Sequence, residues 1–257
     1  MGIFDIMFLG TCACDFSNKL ENEFKDAFDF DARRASALLI NKNCLIDSGM
    51  HILDSLRIAK NSKDDITNIF ITHLHEDHFN YDNIKQIAQN HKIRLWIKNG
   101  AQVKEADNIE IIRMTPFEKY EVEDGLYITG LDANHDPISH PQHFLIEKQG
   151  KKIFYGCDGA WLLANTYNYL KRTELDLAIL DATIGDYDGD YRIAEHNSIP
   201  MIRLMLPTLK NEKIIVDKTN LYLSHIAPSL HKTHKEIELI ANELGARVAY
   251  DGLKITI

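Results

Sequence analysis

His73, His75, Asp77 and His78 stand within six residues of one another, in the segment Thr72-His-Leu-His-Glu-Asp-His78. Imidazole nitrogens combined with a carboxylate oxygen form a donor set that suits zinc and also accepts manganese or iron. On an extended backbone His73 and His75 share one side. Asp77 and His78, past a turn, can address a neighbouring position about 3.5–4 Å away, the separation of two-metal hydrolytic sites. Four donors do not close two metals, so further ligands must come from elsewhere in the chain. The sequence offers His135, Asp158 and His225, each placed after a short apolar run. An isolated histidine pair would read as a satisfied polar loop. Here 12 histidines concentrate in 73–78, 135–143 and 225–234, which favours a metal centre.

These residues need strands that end where the polar clusters begin. Asn68–Thr72 is a buried strand by its Ile69-Phe-Ile71 core, and ligands belong at the carboxyl ends of such strands. Further strands are expected at Ile3–Leu9, Ala37–Ile40, Cys44–Ile46, Arg94–Ile97, Leu126–Leu131, His143–Glu147, Lys152–Tyr155, Leu175–Leu180 and Asn220–Ser224. Helical patterns lie near 51–60, 80–90, 160–171 and 198–210, with Pro200 tolerated in a first turn. The clearest helix starts at the capping box Thr233-His-Lys-Glu236, carries Ile237, Ile240, Ala241 and Leu244 on one face, and stops at Gly245. Asp251-Gly252 between Arg247–Tyr250 and Leu253–Ile257 signals a terminal hairpin. Residues 15–34 fit no period and read as an insertion or lid. Strands running into helices, mixed with hairpins, indicate sheets covered by helices, and no linker splits residues 1–257 into two domains.

Composition limits the partners. The 257 residues are 45% hydrophobic and 26% charged, ordinary for a folded chain with a sizeable core. Thirty-eight acidic against 29 basic residues give a net charge of -9, which disfavours broad binding to nucleic acid or to an anionic membrane. No run approaches the roughly 18 apolar residues of a spanning helix. Four cysteines are too few and too uneven for a disulfide framework, so a reduced, cytoplasmic protein is expected.

The pattern H-x-H-x-D-H at 73–78, followed by a distant His, Asp and His, resembles the signature of the metallo-β-lactamase superfamily, and the likeness runs over nearly the whole chain. Leu45-Ile-Asp47-Ser-Gly49 is similar to the family's first motif, whose Asp orients the metal site without binding it. The resemblance implies an α/β fold, the four-layer αββα sandwich. It also implies that His73, His75 and His135 hold one divalent ion, that Asp77, His78 and His225 hold a second, and that Asp158 bridges the two. A hydroxide shared by both ions, zinc first and manganese or iron otherwise, would be the nucleophile. Two divalent cations less two carboxylates and one hydroxide leave a single residual positive charge, suited to a monoanionic phosphodiester.

Phe8-Leu-Gly-Thr11, Leu180-Asp-Ala-Thr183 and Glu195-His-Asn-Ser198 resemble the phosphodiesterase branch, which contains the tRNA 3′-processing endonuclease and the cyclic phosphodiesterase of phosphonate breakdown. That likeness gives His196 the role of general acid or transition-state stabiliser, against a plain hydrogen-bonding role at a helix start. Asp77 can assist proton transfer while binding metal. Arg33 and Arg34 could grip a phosphate or form a solvated strand entry, and His231 could line the site. His140, His143 and His234 read as wall, capping or surface residues. Cys12 and Cys14 read as two small buried thiols, because the further cysteines of a structural zinc are missing nearby. Asp186–Asp190 lacks the glycine and glutamate spacing of a calcium loop. The implied activity is hydrolysis of a small, cyclic or open, phosphate ester, with a homodimer left open. The alternatives are lactone or thioester hydrolysis on the same metals, tRNA 3′ processing, which the charge disfavours, and a non-catalytic or redox metal module.

Overall fold

The computed structural model describes residues 2–257. Two seven-stranded sheets organise the chain. The first contains β1 (Asp5–Gly10), β2 (Ala37–Ile40), β3 (Cys44–Ile46), β4 (Asn68–Phe70), β5 (Ile93–Lys98) and β6 (Ile109–Met114). The second contains β7 (Lys119–Glu123), β8 (Leu126–Asp132), β9 (Gln142–Lys148), β10 (Lys151–Gly156), β11 (Leu177–Asp181), β12 (Asn220–Ser224) and β13 (Arg247–Val248), while β14 (Lys254–Thr256) returns to the first. Each sheet is mixed. β3 to β6 run parallel in one and β10 to β13 in the other, with antiparallel strands completing both.

Among the described residues six α-helices accompany them: α1 (Lys19–Asn22), α2 (Ile52–Ile58), α3 (Tyr81–Ile87), α4 (Ala164–Leu170), α5 (Ile199–Asn211) and α6 (His234–Glu243). Alternation along the strands explains the layering. Phe70, Trp96, Phe144, Tyr155 and Ile179 meet between the sheets in one apolar cluster. Ile69, Leu45 and Leu95 face α2 and α3, where Ile52, Leu56, Ile84 and Ile87 cover them. Ala178, Leu180 and Phe154 face Ile202, Leu206 and Leu209 of α5 and Ile237 of α6. Strands buried on both faces have to be continuously apolar, which is why the short runs stand out in the sequence. The architecture is the four-layer αββα sandwich.

The expected elements shift at several points. The 68–72 strand stops at Phe70, so the metal-type cluster lies wholly on a loop. β6 and β7 were not anticipated, because exposed Glu110, Lys119 and Glu121 interrupt their apolar pattern at or near the sheet edges. The terminal hairpin does not form. β13 pairs parallel with β12 and β14 pairs antiparallel with β1, so Asp251-Gly252 carries the chain from one sheet to the other. Two glycines allow close passage near the loops that matter below. A Cβ on Gly10 would lie 1.9 Å from the Ala35 carbonyl oxygen, and one on Gly49 would lie 1.7 Å from that of Asp77.

Asp251 is fully buried where the chain changes sheets. It accepts from Thr11 Oγ1 at 2.8 Å and from the Arg34 amide at 2.7 Å, while Arg33 donates to the same Thr11 hydroxyl at 2.7 Å. Burial pushes its carboxyl up to about 6, against the pull of the Arg34 amide, Arg33 and Thr11. Removing one member of a buried charge set leaves the other uncompensated, so Asp251→Ala should lower unfolding free energy by about 3–5 kcal/mol in urea titrations. The folded-state pKa lies above the ordinary 3.8, so this group's contribution is complete below about pH 4 and is lost as pH rises through about 6. Wild-type stability minus that of Asp251→Asn should therefore decrease over this interval, and a constant difference would contradict the assignment.

Candidate metal centre

Both sheets deliver side chains to one end of the sandwich. From the first sheet, the loop after β4 carries His73, His75, Asp77 and His78. It turns back on itself through amide donations from His78 and Phe79 to the His75 carbonyl, and it is pinned to the neighbouring loop by the Ser48 amide on the His78 carbonyl at 2.8 Å. From the second sheet, His135 follows β8, Asp158 follows β10 and His225 follows β12.

The seven groups converge as two sets sharing one oxygen. In the first set, His75 Nδ1 lies 3.0 Å from His73 Nε2 and 3.1 Å from His135 Nε2. In the second, His78 Nε2 lies 3.1 Å from His225 Nε2 and 3.2 Å from Asp77 Oδ2. Asp158 Oδ2 stands between them, 3.4 Å from His73, 3.6 Å from His135, 3.6 Å from His78 and 3.4 Å from His225, each at Nε2. Metal–ligand bonds of about 2.0–2.1 Å give a tetrahedron with edges of about 3.3–3.4 Å, so these separations fit a tetrahedral ion in each set.

The outward nitrogens fix which atoms face inward. His78 Nδ1 lies 2.8 Å from Asp47 Oδ2, His73 Nδ1 3.0 Å from Thr72 Oγ1, His225 Nδ1 2.7 Å from Thr183 Oγ1, and His135 Nδ1 3.3 Å from the Glu195 carbonyl. His75 Nε2 lies 3.4 Å from Asp136 Oδ2. Each ring thus has an oxygen acceptor for an outward N–H, which frees its other nitrogen to act as a lone-pair donor toward a cation at the centre. Lone pairs packed face to face are repulsive unless a cation sits among them, and this arrangement is the structural case for metal.

Two buried carboxylates anchor the rings, one for each sheet. Asp47, at the end of β3 and held at φ 64°, accepts from Thr72 at both amide and hydroxyl and faces His78. Burial pushes its carboxyl up, while His78 and Thr72 draw it down. Asp181, at the end of β11, accepts from the Thr183 amide and hydroxyl and from the Asn197 amide, and its Oδ2 lies 3.2 Å from His225 Nδ1. Sequence reasoning assigned Asp47 but gave no role to Asp181, Thr72, Thr183 or Asp136. The signal for Asp181 was its place at a strand end inside Leu180–Thr183.

His196 Nδ1 lies 2.8 Å from Asp158 Oδ1 and 3.4 Å from Asp181 Oδ2. Burial opposes charge on this ring, but the Asp158 and Asp181 carboxylates prevail and raise it to about 11. His143 is buried, and burial pushes it down to about 4, so its ring is neutral.

Three residues expected to touch substrate are engaged by groups of the protein itself. Arg33 is 2% exposed and directs its guanidinium to Thr11, the Ala249 carbonyl and His234, and Arg34 donates to the carbonyls of Phe24 and Ala27. Both arginines are buried because they tie the 15–34 insertion to the sandwich. His231 Nε2 donates to the Ala182 carbonyl at 2.7 Å. Cys14 is exposed, contrary to the expected pair of buried thiols, and among the described residues no cysteine joins a cluster of candidate ligands.

Orienting acceptors of this kind typically change metal affinity 10- to 100-fold. Asp47→Ala and Asp181→Ala should each weaken binding by that factor in competition with a chromophoric chelator. Unchanged affinity in both variants would remove the orienting role.

The sequence model of the Beta-lactamase superfamily domain matches residues 42–215. No curated protein sequence matches the chain. Among solved structures, the metallo-beta-lactamase fold protein YhfI of Bacillus subtilis superposes with a TM-score of 0.77 at 14% identity, covering 99% of each chain. Zn(2+)-bound PqqB of Methylobacterium extorquens gives 0.73 at 14% identity, over 98% of this chain and 100% of that one. The short form of human tRNase Z gives 0.68 at 20% identity, over 98% and 99%. With the family's sequence model matching more than half of the chain, and with this fold carrying this cluster of histidines and aspartates, the protein belongs to the metallo-β-lactamase superfamily.

Proposed function

We propose that the chain is a two-metal phosphodiesterase acting on a small, cyclic or open, phosphate ester. The observation that carries this reading is Asp158. One of its oxygens lies between two sets of three donors, and the other contacts His196, a side chain that belongs to neither set. When bound, two divalent ions, zinc in this assignment and manganese or iron otherwise, supply Lewis-acid polarisation of the ester and a water of lowered pKa.

The chain's own residues do the rest. Asp158 fixes the spacing of the two donor sets. Asp77 contributes one donor and stands where it can accept a proton during attack. His196, 15% exposed at its side chain, is placed to protonate the departing alkoxide or to stabilise its charge. This third function matters most for an unactivated ester, because an alkoxide leaves poorly unless it is protonated or its charge is stabilised.

The rim of the site favours a small substrate over a nucleic acid. Glu76 and Glu195 are exposed and Asp136 is half-buried, all within three residues of a ligand or of His196. The nearby Arg192 is held by both oxygens of Asp190 at 2.8 and 2.7 Å. A polyanion would meet these carboxylates without the free cationic contacts on which phosphate-backbone binding depends.

Purified protein should bind two equivalents of divalent metal and hydrolyse bis(p-nitrophenyl) phosphate, with activity lost in Asp158→Ala. His196→Ala should lose about 10²- to 10⁴-fold on a cyclic or alkyl phosphodiester, which releases an alkoxide, and far less on bis(p-nitrophenyl) phosphate, whose nitrophenolate leaves unaided. Turnover of lactones or thioesters with every phosphodiester untouched would replace the present reading with acyl hydrolysis.

A further inference from the structure

Five large apolar side chains stand exposed on the loops that hold the site: Met50, Ile138, Trp161, Tyr191 and Ile193. Ile138 and Tyr191 are each 84% exposed. Their positions are fixed by the same contacts that position the ligands. Met50 follows Gly49, whose backbone is pressed against the Asp77 carbonyl. Ile138 lies in a 3₁₀ turn, Pro137–Ser139, where Asp136 Oδ1 accepts from the Ile138 amide at 3.0 Å while Asp136 Oδ2 faces His75. The Trp161 amide donates to Asn197 Oδ1 at 2.9 Å, next to His196. Tyr191 and Ile193 lie in the 3₁₀ turn Tyr191–Ala194, and the Glu195 carbonyl that follows it faces His135 Nδ1. Each apolar group is therefore tied by a close backbone contact or a short hydrogen-bond path to the metal centre.

Single exposed apolar residues are ordinary, but a set that frames a polar centre marks a binding surface. We propose that this collar receives an apolar substituent of the substrate, so that the substrate is an amphiphile: a small anionic ester head at the metal centre and an aliphatic or aromatic group over Ile138, Trp161 and Tyr191. The head-group half rests on the phosphodiesterase reading. The collar half does not. The occupant is a small molecule because the loops that bear these apolar groups also bear Glu76, Asp136 and Glu195, which repel an anionic lipid surface.

The test is binding, without turnover. Linear alkylphosphonates from methyl to octyl are titrated into metal-loaded protein and followed by tryptophan emission. Trp96 is buried and stacked on Phe70, so of the chain's two tryptophans it is Trp161, 40% exposed, that senses the ligand. The dissociation constant should fall about three- to fourfold for each methylene over several carbons, with a blue shift in emission. The double variant Ile138→Ser/Tyr191→Ser should flatten that dependence in calorimetry. A parallel series of alkylhydroxamates offers the same tails on a head that binds metal without phosphorus. Chain-length dependence with hydroxamates alone would retain the collar and reject the phosphate head. Affinity independent of length in both series, a slope unchanged in the double variant, or self-association that covers Trp161 before ligand is added would overturn the proposal.

Discussion

Five imidazole nitrogens and two carboxylates point into one small volume, and each of the five rings sets its other nitrogen against an oxygen. A proton kept on the outward nitrogen frees the inward one to serve as a donor to a cation. Such a cluster is self-repelling in isolation and is held together by the sandwich behind it. The left-handed backbone at Asp47 and at His225, φ 64° and 58°, marks where that restraint is stored.

The two sheets share the work evenly. Asp47 with Thr72 steadies His78 from the first sheet, and Asp181 with Thr183 steadies His225 from the second. Those two histidines then face each other at 3.1 Å. The other donor set is divided in the same way, with His73 and His75 from one sheet and His135 and Asp158 from the other. Neither sheet can build a complete ion site alone, so the ligand geometry depends on the packing of Phe70, Phe144 and Tyr155 between them.

The cluster of histidines and aspartates was legible in the sequence because its chemistry is local: residue types with strong preferences, placed just after short apolar runs. What escaped notice depends on distant partners. Arg33 and Arg34 look alike whether they face water or a buried carboxylate 217 positions away, as Arg34 does through its amide. Asp251-Gly252 has good turn chemistry wherever the flanking strands find their partners, so a hairpin was expected where the chain in fact changes sheets. Asp181 is one strand-end carboxylate among several, and only its convergence with Thr183, His225 and His196 gives it a function. β6 and β7 were hidden by the polar residues natural to strands at and near exposed edges.

That final change of sheet also bears on how the molecule comes into being. β14 pairs with β1, so strands from opposite ends of the chain are neighbours: Asp5 lies opposite Thr256 and Met7 opposite Lys254. During synthesis the first sheet waits with one flank open until residues 254–256 have emerged. Contacts of such long sequence separation slow folding and leave strand edges open to aggregation in the interval. Without residues 254–256 one edge of β1 has no partner, which makes β14 the latch of the N-terminal half.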